Sequence, residues 1–263
     1  MNRYVAIIFS FLLTIQTWGV NIVVDGITYT INEKSHIAYV NGKNCSGDIF
    51  IPNKIVYNSE SYDVDTSIGN GVFTDCIGLK SITLPDNVNI GSEAFKGCTS
   101  LESITFGSIT NIATNAFTGC TNLKSVYISD LKSWCNLQFY KKEGSLAYGT
   151  LHYTYIYNNP LEYGADLYVK GEKLTNFVIP DSITIISPYA FIGCGSIERL
   201  EIPTTVSVSV GAFGGCNNLR KVVSYASLST SQVSGNSLDS LYLYSSFGSS
   251  NYAKFYTPHF VYP

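Results

Sequence analysis

A block of apolar residues returns every 22 residues along the chain and constrains the fold more than any other feature. Its clearest marker is a phenylalanine, found at Phe73, Phe95 and Phe117 and, after an interruption, at Phe191 and Phe213. A fixed period of this size predicts a solenoid, in which one coil cannot bury its own apolar face and neighbouring coils stack to form the core. We therefore expect function on a long ordered surface rather than in a catalytic pocket.

The spacing within one block predicts the shape of each coil. After Phe95 the apolar positions are Cys98, Leu101, Ile104 and Phe106, so the steps are three, three, three and then two. A step of two is typical of a strand with one buried face, and steps of three suit tight turns or 3₁₀ segments. Each coil should contain one short strand and an irregular arc, and strands of successive coils should pair in parallel.

Small residues recur at fixed places in the block. Glycine or aspartate precedes the cysteine in every coil, which predicts a left-handed backbone there. Alanine precedes four of the phenylalanines and indicates a crowded position. Proline follows strand positions where pairing should stop, as at Pro85 and Pro203. The glycine or aspartate positions are Asp75, Gly97, Gly119, Gly193 and Gly215, and the alanines are Ala94, Ala116, Ala190 and Ala212.

The repeated pattern Ile-Gly-x-x-Ala-Phe-x-Gly-Cys-x-x-Leu-x-x-Ile-x-Ile-Pro resembles the BspA-type leucine-rich repeats of bacterial cell-surface proteins. The resemblance extends over roughly residues 23–223 and implies a leucine-rich-repeat solenoid. It also implies adhesion to host matrix proteins or to other bacterial cells.

The N-terminus has the pattern of a signal peptide. Arg3 precedes an apolar stretch from Tyr4 to Ile15, and the small residues Thr17 and Gly19 suit cleavage before Val20. The stretch is too short to span a membrane as a helix, and no second run of spanning length follows. We therefore expect a secreted or cell-surface protein whose mature chain has no membrane span.

The pattern divides the chain into segments. After the signal peptide (1–19), residues 20–66 have strand composition and should form an N-terminal β cap for the first coil. The repeats occupy 67–129 and 174–223, and an irregular insertion separates them at 130–173. Within it, Asp130 should cap a short helix and Tyr168–Glu172 should form a hairpin. Residues 224–263 form a C-terminal cap or tail.

The seven cysteines fit several alternatives. Five share one repeat position, namely Cys76, Cys98, Cys120, Cys194 and Cys216, and Cys45 and Cys135 lie outside it. Metal sites bring cysteines closer in sequence than these are. Stacking would place the five near disulfide distance, but equivalent positions direct their Cβ atoms in parallel. We therefore expect these five to be reduced, buried thiols that act as small hydrophobic residues.

Catalytic and nucleic-acid-binding patterns are lacking, so we expect no enzyme. The three histidines lie in different parts of the chain, and no Walker, Gly-x-Ser-x-Gly or His-Glu-x-x-His motif occurs. Asp63 and Asp65 lack the further oxygen ligands that calcium needs. We expect no cofactor and no metal, and a formal net charge of −3 does not favour nucleic acid.

The outward strand positions are the candidate binding residues, because strands alternate between the core and solvent. The first run of repeats places small polar residues there, and the last places charges. A solenoid commonly binds partners on such a surface, although polar residues on a wet face are also expected without any function. The candidates are Ser81, Thr83, Ser103, Thr105, Ser125, Tyr127, Arg199 and Glu201.

Three functions remain open from the sequence. A protein-binding surface module, with a host or bacterial surface protein as its partner, is the first. The second is glycan binding by a tyrosine-rich segment within the insertion, where the rings could stack on sugars; the same rings could instead pack the insertion onto the repeats. A purely structural envelope component is the third. The tyrosines are Tyr140, Tyr148, Tyr153, Tyr155, Tyr157 and Tyr163.

Overall fold

A computed structural model of the protein describes residues 19–42, 45–147, 150–228, 230–233, 238–244 and 253–256. The chain divides into two compact units: unit 1 ends at Asn122 and unit 2 begins at Leu123. The predicted signal peptide lies outside the described residues, apart from Gly19. None of the helices in the described ranges combines the length and the hydropathy that crossing a membrane requires.

Unit 1 consists of short strands. They are β1 (Val20–Val24), β2 (Ile27–Asn32), β3 (Ile37–Asn41), β4 (Ser46–Phe50), β5 (Lys54–Tyr57), β6 (Glu60–Val64), β7 (Ser67–Ile68), β8 (Gly78–Thr83), β9 (Val88–Ile90), β10 (Ser103–Thr105) and β11 (Ile109–Ile112). A mainly antiparallel sheet in the order β1-β2-β3-β6-β5 precedes the repeats. Parallel strands β4, β8 and β10 lie side by side, and β7, β9 and β11 form a second parallel ladder on the arc.

Unit 2 contains the helix and the remaining strands. They are β12 (Ser125–Ile128), α1 (Leu131–Asn136), β13 (Tyr140–Ala147), β14 (Thr150–Tyr157), β15 (Asp166–Val169), β16 (Glu172–Lys173), β17 (Asn176–Val178), β18 (Ile185–Ile186), β19 (Arg199–Ile202), β20 (Ser207–Val208), β21 (Lys221–Ser224), β22 (Ser240–Tyr244) and β23 (Ala253–Tyr256). Strand β15 pairs in parallel with β12, and β17, β19, β21 and β22 form a second parallel ladder. Strands β13 and β14 form an antiparallel hairpin.

The predicted leucine-rich-repeat solenoid, with one parallel strand per coil and irregular arcs, is confirmed. The repeated phenylalanines form its core. In unit 1 the rings of Phe73, Phe95 and Phe117 stack at centroid distances of 5.2 and 5.3 Å, with planes within 7° of parallel. In unit 2 the rings of Phe191 and Phe213 stack at 5.0 Å. The 22-residue period therefore places identical rings on top of one another inside the stack.

Hydrogen bonds join the arcs of successive coils, in addition to those that join their strands. The Phe73 N–H donates to the Ala94 carbonyl at 2.8 Å, and the Phe95 N–H donates to the Ala116 carbonyl at 2.8 Å. The alanine methyls are fully buried, as the crowded position predicted. Because the backbones of successive arcs must approach this closely, a larger side chain would separate them.

The position before each cysteine has the predicted left-handed backbone. Asp75 has φ of 57°, and Gly97 and Gly119 have φ of 73° and 84°. A Cβ added at Gly97 would lie 2.1 Å from Oδ1 of Asp75 in the preceding coil. A larger residue at Gly97 would hold a strained left-handed backbone, and its Cβ would displace the Asp75 side chain of the neighbouring coil.

The predicted helix and hairpin of the 130–173 segment are both present in unit 2. Asp130 caps α1, because its Oδ1 accepts a hydrogen bond from the Lys132 N–H at 3.0 Å. Strands β15 and β16 form an antiparallel hairpin. The segment limits drawn from the sequence, including 20–66 and 224–263, remain predictions; β4 and β22 lie within these two ranges and pair in parallel with coil strands.

Candidate protein-binding surface

In unit 1 the predicted outward positions form two straight rows across β8 and β10. Ser81 is opposite Ser103, and Thr83 is opposite Thr105, because the parallel register matches residues one period apart. All four side chains are half-buried. Their inward neighbours, Ile82 and Ile104 among them, are buried. The small hydroxyl side chains therefore make a low, polar strip on the solvent side of the sheet.

Strand β4 extends both rows with residues that the sequence reasoning did not select. Asp48 is opposite Ser81, whose hydroxyl donates to Asp48 Oδ1 at 2.7 Å, and Phe50 is opposite Thr83. The Phe50 side chain is 61% exposed, which is unusual for an aromatic ring. The signal was present in the sequence: Ile49-Phe50-Ile51-Pro52 matches the pattern of Ile82-Thr83-Leu84-Pro85.

In unit 2, Ser125 and Tyr127 lie on β12 beside an aromatic partner on β15. The register places Ser125 opposite Asp166 and Tyr127 opposite Tyr168. The two tyrosine rings stack at a centroid distance of 4.5 Å with an interplanar angle of 24°. Tyr168 was not among the predicted residues, although Leu167-Tyr168-Val169 matches Val126-Tyr127-Ile128.

Charged side chains flank this tyrosine pair. Lys173 on β16 lies opposite Tyr168, and its Nζ is 2.7 Å from Asp166 Oδ2. The hydrogen bond to Asp166 raises the pKa of Lys173 above its usual value, so Lys173 is charged at neutral pH. The surface of β12, β15 and β16 therefore combines two aromatic rings with a closed ion pair.

The predicted charged pair lies on the second ladder of unit 2. Arg199 and Glu201 are both half-buried on β19, and an Arg199 guanidinium nitrogen is 3.1 Å from Glu201 Oε2. Lys221 on β21 lies opposite Arg199, and Val178 on β17 lies opposite Glu201 with 57% of its side chain exposed. This face is more charged and more apolar than the serine and threonine strip of unit 1.

Only part of the tyrosine-rich segment falls within the described side chains. The ring of Tyr140 meets that of Tyr189 edge-to-face at 5.4 Å, and Tyr163 is 38% exposed. The side chains of Tyr148, Tyr153, Tyr155 and Tyr157 lie outside the described residues. Where it is described, the segment packs onto the following coil, because the Asn159 side-chain amide also donates to the Tyr189 carbonyl at 2.8 Å.

The expectation of five reduced thiols is wrong for Cys76. It forms a disulfide with Cys45, and their Cα atoms are 5.8 Å apart. Cys45 directly precedes β4, and the pairing of β4 with β8 brings it beside Cys76 without the parallel Cβ vectors of equivalent repeat positions. The other four repeat cysteines, and Cys135, are free and buried, as expected for the repeat position.

The free thiols of the repeat link each coil to the preceding one. The Cys98 thiol donates to the Phe73 carbonyl at 3.0 Å, and the Cys120 thiol donates to the Phe95 carbonyl at 3.1 Å. In unit 2 the Cys216 thiol likewise donates to the Phe191 carbonyl at 3.1 Å. Cys194, at the start of the second run of repeats, instead contacts the Ser196 hydroxyl at 3.3 Å.

Structural contacts account for Asp63, Asp65 and His36. Asp63 forms an ion pair with Lys54 at 2.7 Å, and Asp65 accepts from the Ser67 N–H. His36 stacks on the ring of Tyr62. Within the described ranges, no three His, Cys, Asp or Glu side chains come together as metal ligands would.

Comparison with known proteins identifies the repeat. The family described as BspA type Leucine rich repeat region matches residues 53–167 and 162–258, with six copies. None of the curated proteins matches the sequence.

Among solved structures, a leucine-rich cell-surface protein from Faecalibacterium prausnitzii is similar, with 22% identity and a TM-score of 0.45, over 85% of this chain and 58% of that one. A leucine-rich repeat protein of T. pallidum has 18% identity and a TM-score of 0.38, over 74% and 78%. One from Bacteroides capillosus has 21% identity and a TM-score of 0.32, over 45% and 98%. The chain thus spans little more than half the length of the Faecalibacterium protein.

Proposed function

The chain belongs to the BspA-type leucine-rich repeat family, and on that premise we propose that it is a non-catalytic module of the bacterial cell surface that binds another protein. The binding residues are the outward side chains of the parallel strands. In unit 1 these are the rows that contain Ser81, Thr83, Ser103 and Thr105, and in unit 2 those that contain Ser125, Tyr127, Arg199 and Glu201. Partners are matrix proteins of a host or surface proteins of other cells.

The observation that carries the proposal is the flat strand surface beside exposed or half-exposed aromatic rings. Small hydroxyl side chains at Thr83 and Thr105 let a partner approach the sheet closely, and Phe50 offers a ring at its edge. Aromatic residues are enriched among the residues that dominate binding energy in protein interfaces. Strand faces of repeat proteins supply extended surfaces of this kind.

The tyrosine pair is compatible with a protein partner. Stacking at 4.5 Å covers one face of Tyr127 and one face of Tyr168, so less ring surface is left for stacking on a sugar. The edges and hydroxyls of such a pair suit hydrogen bonds to a polypeptide. Export through the predicted signal peptide, with Tyr4–Ile15 as its apolar core, would bring the module to the cell surface.

The test is direct binding of purified residues 20–263 to a panel of matrix proteins and, in parallel, to a glycan array. We expect a protein ligand whose binding survives an excess of free oligosaccharide. Thr105→Lys in unit 1 and Ser125→Lys in unit 2 should weaken that binding about tenfold or more, because a long charged side chain would occupy the contact face.

Thr118→Lys is the matched control for Thr105→Lys, since Thr118 is exposed on the arc of unit 1 and away from the strands. It should leave the affinity unchanged. Competition by oligosaccharide, together with loss of binding in Tyr153→Ala or Tyr157→Ala, would overturn the proposal and place a glycan site in the tyrosine-rich segment.

A further inference from the structure

Strand β4 has an open edge in unit 1. One side of β4 pairs with β8, from Ser46 opposite Gly78 to Phe50 opposite Thr83, and the sheet order ends at β4. The preceding, mainly antiparallel sheet pairs β3 with β6 in parallel and does not include β4. Most exposed edges in proteins are short, charged or covered, because an open edge recruits further strands.

The direction of the β4 backbone groups follows from one hydrogen bond. The Ile51 N–H donates to the Thr83 carbonyl at 2.9 Å, so Ile51 directs its backbone groups toward β8. Successive residues of a strand direct these groups to opposite sides. Ile49 therefore also bonds toward β8, whereas the N–H and C=O groups of Asp48 and Phe50 point to the open side. Within the described ranges these four groups have no hydrogen-bond partner.

The side chains at these two positions add recognition to the open edge. Asp48 and Phe50 are both exposed, while Ile49 between them is buried. Among the described residues, the Asp48 carboxylate receives one hydrogen bond, from Ser81 to Oδ1, which leaves Oδ2 available. An added strand would meet a carboxylate and, two residues further along, an aromatic ring on the same face.

We propose that the open edge of β4 binds an extended segment of a partner protein as an additional strand. The segment carries a lysine or arginine opposite Asp48 and an aromatic or large apolar residue opposite Phe50. Its backbone pairs with the N–H and C=O groups of Asp48 and Phe50, and its side chains supply the selectivity, as in other cases of strand addition. The inference goes beyond the proposed function, because it concerns the edge of the sheet rather than its face.

Charge argues against a second copy of this chain as the occupant. Antiparallel pairing of two β4 strands centred on Asp48 would place the two carboxylates opposite each other, and like charges directly opposite are destabilising. Centring on Ile49 would place each carboxylate opposite the partner's Phe50, which offers no counter-charge. An added strand with a basic residue opposite Asp48 and an apolar residue opposite Phe50 gives both side chains a suitable contact.

The test uses a synthetic nine-residue peptide, acetyl-Thr-Val-Phe-Thr-Lys-Thr-Phe-Val-Thr-amide, and residues 20–263 with the disulfide intact. The peptide reads the same in both directions, so lysine faces Asp48 and phenylalanine faces Phe50 in parallel or antiparallel pairing. We expect saturable binding by calorimetry at peptide concentrations below about 1 mM. Phe50→Ala should weaken binding about tenfold or more. Asp48→Lys should abolish binding of this peptide, and that variant should instead bind a second peptide in which glutamate replaces the lysine.

Two controls distinguish strand addition from non-specific binding of the peptide. Val56→Ala on β5 removes a side chain that is 63% exposed on another edge strand of unit 1, and it should leave binding unchanged. N-methylation of the peptide at alternate residues should abolish binding in one register and spare it in the other, because only one set of N–H groups faces β4. Three results would overturn the proposal: no binding of the peptide to the parent protein, binding by Phe50→Ala and Asp48→Lys that equals that of the parent protein, or binding that neither N-methylation pattern changes.

Discussion

At the scale of single residues, the repeat cysteine connects a coil to the one before it. Its thiol donates to the carbonyl of the phenylalanine 25 residues earlier, as Cys98 does to Phe73 and Cys216 to Phe191. Cys76 and Cys194 begin their runs, and neither has a repeat phenylalanine at that distance. Cys76 pairs instead with Cys45, and Cys194 contacts Ser196, so the partner changes wherever a run begins.

Thiol counting should therefore give two different values. Native protein should show no reactive thiol, because the five free cysteines are buried. Burial raises the pKa of Cys135 to about 12 and raises the pKa values of Cys194 and Cys216, which keeps the thiolate rare at these three positions at pH 8. The hydrogen bond with Cys120 lowers the pKa of Cys98, so the protection of that thiol depends on its burial. Denatured, unreduced protein should show five thiols. A count of seven would contradict the Cys45–Cys76 disulfide.

Phe95→Ala should lower the free energy of unfolding by about 3–5 kcal/mol, because the Phe95 ring is fully buried between two parallel rings. Urea unfolding followed by circular dichroism measures the change. The matched control is Ile77→Ala, which truncates a side chain that is 67% exposed in the same unit. That change should be within about 0.5 kcal/mol. Equal stabilities of the two variants would mean that the phenylalanine position is not part of the core.

At the scale of elements, the segment between the two runs of repeats replaces the contacts that a preceding coil would make. In a regular coil the alanine carbonyl accepts from the N–H of the phenylalanine one coil earlier, as Ala212 does from Phe191. The Ala190 carbonyl accepts instead from Trp134 Nε1 and from Asn159 Nδ2, both at 2.9 Å. Two side chains of an irregular segment thus complete the start of a regular run.

Asp130→Ala should lower the free energy of unfolding of unit 2 by about 1 kcal/mol, since α1 loses its N-terminal cap. Urea unfolding at several pH values measures it. The hydrogen bond from Ser133 lowers the Asp130 pKa below its ordinary value of 3.8, so its charge-dependent stabilisation is present above pH 4 and disappears as the pH falls through the folded pKa. Asp130→Asn is the control, because asparagine caps without titrating. A deficit that does not shrink in acid would contradict this role of the carboxylate.

The sequence predicted the elements that follow the period and missed those that depend on irregular spacing. Left-handed turns, buried alanines and parallel strands follow from local sterics repeated every 22 residues, as at Gly97 and Ala94. The exposed ring of Phe50 was missed because β4 lies 33 residues before β8 and so escapes the 22-residue comparison. Tyr168 was missed for the same reason, since its strand partner Tyr127 lies 41 residues earlier.

At the scale of the whole molecule, the disulfide is the covalent constraint within unit 1. The bonded cysteines are 31 positions apart in the sequence, and the loop that they close contains β4, β5, β6 and β7. By restricting the unfolded chain, a loop of this length stabilises the folded state by about 3–4 kcal/mol. The sequence could not assign this bond, because the approach of Cys45 to Cys76 depends on how the first strand joins the ladder.

Cys45→Ser should therefore lower the free energy of unfolding of unit 1 by about 3–4 kcal/mol, and its thermal midpoint should fall accordingly. Differential scanning calorimetry with and without dithiothreitol measures it. Reductant should destabilise the parent protein and leave the Cys45→Ser, Cys76→Ser double variant unaffected. If the thermal midpoint of the parent protein is the same with and without reductant, the bond contributes nothing to stability.

Within a run, each repeat cysteine donates its hydrogen bond to the preceding coil, and this has a consequence for how a run of repeats can gain coils. Because a thiol finds its acceptor in the coil before it, duplicating a 22-residue unit inside a run supplies every new cysteine with a phenylalanine carbonyl. A unit added directly ahead of the Cys76 coil would place its own cysteine next after Cys45, and its phenylalanine would lie 25 residues before Cys76. Growth at the start of a run is therefore as compatible with the existing bonds as internal duplication, provided that each added unit carries both the phenylalanine and the cysteine.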